Sequence, residues 1–460
     1  MTAIPIDERT RRPTDEARQQ RVHSTTGIER YIQRFDESRN SLPGHGLSWL
    51  AEMRQRAMAA FSAFGVPNTK HESWKYTNVS PIMKEDFAPA SLPQQLPEQA
   101  DAGLLQDAKL GGIQLHFVNG LYVEASSTAA DLPQGVWVQS LARAVAEDPS
   151  WVEAHLGRLA AAEKHPFRAL NEASWQDGAV IRIDDGVELS QPIHLLLQNT
   201  QSEDPWVAHP RVLVVAGQSS KAVVVEHYVG GEEKYFTNSI VEMSAAANAR
   251  LDYFKVQQES PQAFHLSSVC AEAGRDSTIN LFSMALGGKI ARTEMDVTLQ
   301  AAGAHCGMYG LYWGRGSQLV DHTTTIEHAE PHCSSDEVFR GIMDGSSRGV
   351  FSGTIVVAEH AQKTDANQSN KNLLLSRKAH VDTKPQLEVY ADDVKCAHGA
   401  TVGQLDEKAL FYLRQRGIDE TQAKALLTYG FASELLERID LEPLRNALEE
   451  WLQTGVLLTD

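Results

Sequence analysis

From about Ala179, for over two hundred residues, the chain repeats a short pattern with no long helical stretch between copies. Runs rich in Val, Ile, Tyr and Phe alternate with Gly, Asn, Ser and Asp breaks. The segments Lys221-AVVVEHY, Ala249-RLDYFKV, Ser277-TINLFSM, Ala304-HCGMYGL and Ser334-SDEVFRG begin 28, 28, 27 and 30 residues apart. Residue identities between copies are weak; the spacing and the small/polar-then-apolar order recur. A helix-free repeat of this length suggests a stacked β-solenoid, in which each coil covers its neighbour's apolar face. A β-sandwich is the alternative, because its strands also return every 8–12 residues or about that.

Helical texture flanks the repeat. Residues 1–24 read as a mobile tail, 25–175 as a helical region with one β-hairpin, 176–403 as the solenoid and 404–460 as a C-terminal helical region. Leu50, Met53, Met58, Phe61 and Phe64 mark the apolar face of a helix over 47–64, which Gly65 and Pro67 end. A Pro/Gln-rich linker over 88–99 follows. In LHFVNGLYV (115–123), Asn119-Gly120 sits between apolar runs, which suits a type I′ hairpin turn because both central residues need φ > 0. Residues 138–175 return to a helical pattern, with Trp151, Leu156, Leu159 and Ala160 on one side. After Gly403, Asp406-EKALFYLRQR reads as a capped helix stopped by Gly417. Asp419 and Gln422 then resemble a capping box, and Pro443 opens a last helix. These helices are too few for a domain of their own, so they cap the solenoid or dock on a partner.

Charge narrows the partners. Lys+Arg number 42 and Asp+Glu 60, a formal charge of −18. Such a surface repels phosphate backbones and anionic lipid, and no basic patch offsets it, which argues against nucleic acid as a direct partner. No apolar run approaches the roughly 18 residues of a membrane span, and the polar start lacks the apolar core of a signal peptide. Cys270, Cys306, Cys333 and Cys396 show no CxxC or framework spacing, the usage of a reducing compartment. The expectation is a cytoplasmic protein with no membrane segment.

Few constellations carry chemistry. GGK at 287–289, GQSSK at 217–221 and GRG at 314–316 lack the spacing of a phosphate-cradling loop, so the chain is not itself a P-loop ATPase. The acidic residues are dispersed rather than lined along one sheet as in β-helix polysaccharide enzymes. His322-TTTIE-His328 with His332-Cys333 gathers imidazoles and a thiol, but without ligand-pair spacing for zinc it reads as residues lining coil turns. The pairs Glu226-His227, Glu327-His328 and Glu359-His360 are of a kind that repeat drift produces.

The richest spot is DDVKCAHGATVG (392–403). On a strand, Cys396 and His398 project from one face, shared with Asp392 and Val394 if the strand runs unbroken. A thiol beside an imidazole forms a reactive thiolate or offers two ligands to iron or copper. Two donors cannot close a four-coordinate site, so a metal there needs donors from another chain. The bland alternative is a core thiol with a turn histidine.

Several stretches resemble one family. SRGVFSGTIVV (347–357), AQKTDANQSNKNLLLS (361–376), LEVYADDVKCAHGATVGQLDEKALFYLRQRGI (387–418) and the helical tail are similar to the SufD family of the SUF iron–sulfur cluster assembly system. TKHESWKYTNVSP (69–81) resembles that family's Trp-Lys-Tyr-Thr segment, so the resemblance spans roughly residues 30–440. It implies a mainly β fold, a right-handed parallel β-helix (solenoid) core with N-terminal and C-terminal α-helical regions. It also implies a non-catalytic scaffold with a role in iron acquisition, which pairs with the paralogue SufB through the β-helices and binds the SufC ATPase through the C-terminal helices.

The same resemblance implies a transient Fe-S cluster at the SufB–SufD interface. His398 and the nearby Cys396 are then this chain's metal-site residues, SufB completes the site, and the isolated chain holds no cluster stably. The family's complex is linked to reduced flavin, for which the sequence shows no motif. The DDVKCAHGATVGQLDE segment and the short cysteine list favour SufD over its paralogue. Without SufB a homodimer is expected, because β-helix edges pair with themselves.

Overall fold

The computed structural model describes residues 15–97, 103–105, 108, 110–128, 132–200 and 204–457 of the 460. Of the stretch read as a tail, residues 1–14 lie outside the described residues, and Asp15 onward already belongs to a helix.

The N-terminal region opens with helices α1 (Asp15–Ser38), α2 (Ser48–Phe64) and α3 (Ser80–Lys84). Strands β1 (Ala88–Pro89), β2 (Ile113–Val118), β3 (Leu121–Tyr122) and β4 (Val136–Ser140) follow, then helices α4 (Leu141–Glu147), α5 (Pro149–His155) and α6 (Pro166–Ser174). Helix α2 buries Leu50, Met53, Met58 and Phe61, leaves Phe64 half-buried and ends at Gly65. Asn119 (φ 52°) and Gly120 (φ 79°) turn β2 into the antiparallel β3, as the sequence anticipated.

The helical pattern expected over 138–175 is broken into the end of β4 and three short helices. Pro149 and Pro166 have no N–H to give a preceding turn and so begin new helices. Asp148 caps α5 by accepting the Trp151 N–H. Leu156, Leu159 and Ala160 consequently lie in the loop after α5 rather than on a helical face.

From Gly178 the chain winds into eight coils of two strands each. The first is β5 (Gly178–Ile183) with β6 (Ile193–Asn199); β7 (Trp206–Ala208) is an addition that pairs with β1 and β10. The next three are β8 (Arg211–Ala216) with β9 (Lys221–Gly230), β10 (Tyr235–Ala245) with β11 (Arg250–Gln258), and β12 (Phe264–Ala273) with β13 (Thr278–Ala285). Then come β14 (Ile290–Leu299) with β15 (His305–Gly314) and β16 (Leu319–His328) with β17 (Ser334–Met343). The last two are β18 (Arg348–Val357) with β19 (Asp365–Leu374) and β20 (His380–Val389) with β21 (Lys395–Gly403). Even-numbered strands from β8 to β20 stack in parallel into one sheet and odd-numbered strands from β9 to β21 into the other. The fold is thus mainly β, a parallel solenoid rather than a sandwich.

The sequence repeat is one strand of each coil. Lys221, Arg250, Thr278, His305 and Ser334 are successive register partners in the odd sheet, within one residue of the repeat starts. A second ladder fixes the corner before each odd strand. Ser219, Asn248, Asp276, Gly303, His332 and Lys363 all have positive φ, each two residues ahead of its strand. Each donates its backbone N–H to the next coil, Asn248 to Arg275 O and His332 to Gln362 O for example. Asn, Asp and Gly tolerate this left-handed conformation; His and Lys adopt it at some cost.

Inward side chains of both sheets form one continuous core that includes Val224, Met243, Leu281, Met308, Phe339 and Ile355. The outer face of the even sheet is covered by the N-terminal helices. There the Arg292 guanidinium lies 4.3 Å from the Trp74 ring centroid, and the Thr77 hydroxyl hydrogen-bonds Asp321, so the Trp-Lys-Tyr-Thr segment straps the sheet.

Helices α7 (Glu407–Gln415), α8 (Glu420–Leu436) and α9 (Glu442–Leu457) close the chain. Asp406 caps α7 through the Lys408 N–H and Asp419 caps α8 through the Gln422 N–H. Ala432, Leu435, Leu436, Leu444, Leu448 and Leu452 pack on the outer face of the odd sheet against Phe254, Met284, Leu311 and Trp313. The helices therefore cover a flank and leave the last coil open. Among the described residues no helix is long and apolar enough to cross a membrane.

Candidate functional site at the open coil

The two faces of β21 are fixed by its neighbour. Ala366, Gln368, Asn370 and Asn372 of β19 are buried inward, and their register partners are Cys396, His398, Ala400 and Val402. Those four residues share the inward face, but no coil follows to cover them. Cys396 is half-buried against the core, and His398 is exposed although it faces inward. Around this end Tyr390 is 63% exposed and Val402 44%. An apolar rim on an uncovered coil end, bounded by unpaired strand edges, is a surface built to be covered.

The strand is unbroken from Lys395 to Gly403, so Cys396 and His398 do project together, about 6.6 Å apart along the backbone. Asp392 does not join them. It lies in a bend before the strand, where Lys363 donates its N–H to the carbonyl of Asp393. Val394 does pack against the core.

Burial, helped by the Asp365 carboxylate, pushes the Cys396 thiol up. It is therefore a protonated thiol at neutral pH rather than a standing thiolate, and it ionises only when a metal takes the proton's place. The His398 ring has no hydrogen-bond partner among the described residues. Nor do those residues contain any group of three or more His, Cys, Asp and Glu able to hold a metal. The strand places one soft and one borderline donor, too few to close a metal site, on an uncovered face.

The other candidates separate. His322 points inward and pairs with the Ser283 hydroxyl at 3.1 Å; His328 meets Ser335 at 2.9 Å. Burial pushes them down to about 3 and about 4, so both are neutral core residues. His332 is a corner of the turn ladder, and Cys333 donates to the Ala301 carbonyl at 3.3 Å. Glu226 and His227 face opposite sides of β9, and Glu359-His360 sits in an exposed turn.

Sequence reasoning missed the polar interior. The penultimate coil is filled by the amides of Gln368, Asn370 and Asn372, and Gln368 donates to buried Glu337 at 2.7 Å. The period-2 alternation in DANQSNKN was the signal available, because it places Gln368, Asn370 and Asn372 on the inward parity and Asn367 on the outward one. Three to five coils further in, Glu226, Lys255, Glu259 and His265 form a buried charged cluster.

The site is coupled to the C-terminal helices by a short link. Only Gln404, Leu405 and Asp406 separate β21 from α7. Gln404 and Leu405 of that link line a cavity of about 640 Å³ with Leu410, Thr421 and Lys424. Helix α7 buries none of its residues and exposes Phe411 (64%) and Tyr412 (58%).

Two family models match the sequence: "SUF system FeS cluster assembly, SufBD core domain" over residues 197–431, and "SufBD protein N-terminal region" over residues 25–195. The iron–sulfur cluster assembly protein SufD of Escherichia coli K12 is 34% identical over 385 residues, 83% of this chain and 87% of that one. An iron–sulfur cluster assembly SufBD family protein of Synechocystis is 31% identical over 440 residues, 94% of this chain and 96% of its own. Bacillus subtilis SufD is 26% identical over 442 residues, 93% of this chain and 98% of its own.

Proposed function

Because this chain belongs to the SufBD family and thereby has a role in SUF iron–sulfur cluster assembly, we propose that it acts there as a non-catalytic scaffold that supplies half of an assembly site. The observation that carries this reading is the open last coil, where Cys396 and His398 face inward with nothing above them. The nascent cluster is cargo, held transiently between this chain and a SufB-type partner that covers β20 and β21 and adds the missing donors. Without that partner a second copy of the chain covers the same end. The reading gives the subunit a part in iron acquisition, because its two donors would meet iron before the site is complete.

The ATPase activity belongs to a SufC-type subunit docked on α7, whose exposed Phe411 and Tyr412 form an apolar patch in an acidic exterior. Closure of that ATPase pulls α7, the three-residue link passes the pull to β21, and the site opens or closes. The cavity beside the link leaves room for the movement. Reduced flavin would enter through the assembled complex, as no flavin motif is present in this chain.

Co-expression of the chain with SufB and SufC candidates, followed by size analysis, tests the scaffold role. A stable three-component complex and an essentially iron-free isolated chain are expected. An isolated chain that retains stoichiometric iron, or fails to join SufB, contradicts it.

A further inference from the structure

Three inward positions stand directly in register at the open end: Glu337 on β17, Gln368 on β19 and His398 on β21. Adjacent rungs of a sheet are about 4.8 Å apart, within reach of a glutamine side chain. The lower contact is made, since Gln368 Nε2 donates to Glu337 Oε2 at 2.7 Å, and the Thr324 hydroxyl donates to Glu337 Oε1 at 2.5 Å. The other end of the amide is idle, because Gln368 Oε1 is buried without a partner. Across the interior the chain keeps the amide's space clear, as a Cβ at Gly353 would collide with Gln368 Nε2. A buried unsatisfied carbonyl oxygen is costly and calls for an explanation. The neighbouring rung holds a ring, His398, that lacks a partner among the described residues.

From this register we infer that Gln368 is a positioning residue for His398: its free Oε1 accepts an N–H from the imidazole once the open end is covered. Glu337 anchors the amide by its Nε2, which leaves Oε1 as the end available to the ring. The accepted N–H fixes one tautomer, leaving the lone pair of the other ring nitrogen to face the metal. The inference rests on the reading of His398 as a metal donor and adds the residue that orients it.

The test uses the complex with SufB and SufC, supplied with ferrous iron and sulfide. Gln368→Leu is expected to assemble normally but to retain about tenfold less iron and acid-labile sulfide, the size of effect typical of lost outer-shell partners. Gln368→Asn fits the coil, is one methylene too short, and should behave like Leu should the apolar variant disturb the end coil. Gln368→Glu keeps an acceptor oxygen and should restore most retention. Nitrogen-15 histidine spectra of the metal-free complex should show one His398 tautomer in the wild type and Gln368→Glu, and a mixture in Gln368→Leu.

Retention in Gln368→Leu equal to wild type, with His398→Ala defective, overturns this inference and leaves the reading of His398 standing. Equal losses in Leu and Glu variants overturn it too, since packing alone then matters. A fully active His398→Ala complex overturns both.

Discussion

The Lys255 ammonium lies 2.5 Å from Nε2 of His265 inside the solenoid, and the opposite ring nitrogen of His265 is 2.6 Å from Glu259. Lys255 donates to a neutral imidazole there, and burial pulls its pKa down to about 8 against the pull of Glu226 and Glu259. The arrangement sets one ammonium against two carboxylates in the buried core. Lys255→Met leaves both without their cation and is expected to destabilise by about 3–5 kcal/mol, read as a lower denaturant midpoint. Adding Glu226→Gln to Lys255→Met should recover a large part; a double variant no better than the single one contradicts the pairing.

Glu337 makes stability fall with pH. Burial raises its carboxyl to about 7 from 4.5, against hydrogen bonds from Thr324 and Gln368. A raised folded pKa means its stabilisation is complete below pH 4.5 and is lost as pH rises through 7. Glu337→Gln should therefore flatten the decline between pH 4.5 and 7 and be more stable than wild type at pH 8, by on the order of 2–3 kcal/mol. Unfolding curves at three pH values decide it, and parallel profiles for both proteins contradict it.

His332 serves the turn, not a metal. Its φ of 62° costs a β-carbon-bearing residue about 1 kcal/mol that glycine avoids, as at the equivalent Gly303. His332→Gly is expected to leave stability unchanged or slightly higher, with the entropy cost of glycine opposing the gain. Cluster retention by the complex should be unaffected, and a loss of iron would give His332 a role the geometry denies it.

Phe411 and Tyr412 are exposed on a helix that buries nothing, so their replacement is nearly free of folding consequences. Phe411→Asp with Tyr412→Asp should shift stability by no more than about 0.5 kcal/mol yet abolish co-purification with the ATPase. This pair isolates the dock better than truncating 406–460, because α8 and α9 also cover the odd sheet. Retained ATPase binding would place the dock elsewhere.

The period near 28 residues was legible because each coil contributes one strand in register, and Cys396 and His398 on one face followed from their spacing alone. The corner ladder was visible too, as Asn248, Asp276, Gly303, His332 and Lys363 recur at nearly the same interval, but only the backbone gives those polar residues a common conformation. The breaks at Pro149 and Pro166 were overridden by an apolar pattern that proved to be loop and short helix. Nothing local could show that α8 and α9 would cover a flank and leave the end open, since that depends on which apolar face a helix finds. The inward parity of Gln368 and Glu337 was readable; that one amide oxygen would lack a partner was not.

On the proposed reading, His398 is this chain's donor to a cluster completed by a partner. Iron and acid-labile sulfide retained by the reconstituted complex carrying His398→Ala test it most directly. An intact complex with most of both lost is expected, with a smaller loss for Cys396→Ala. Wild-type iron and sulfide in His398→Ala would contradict it.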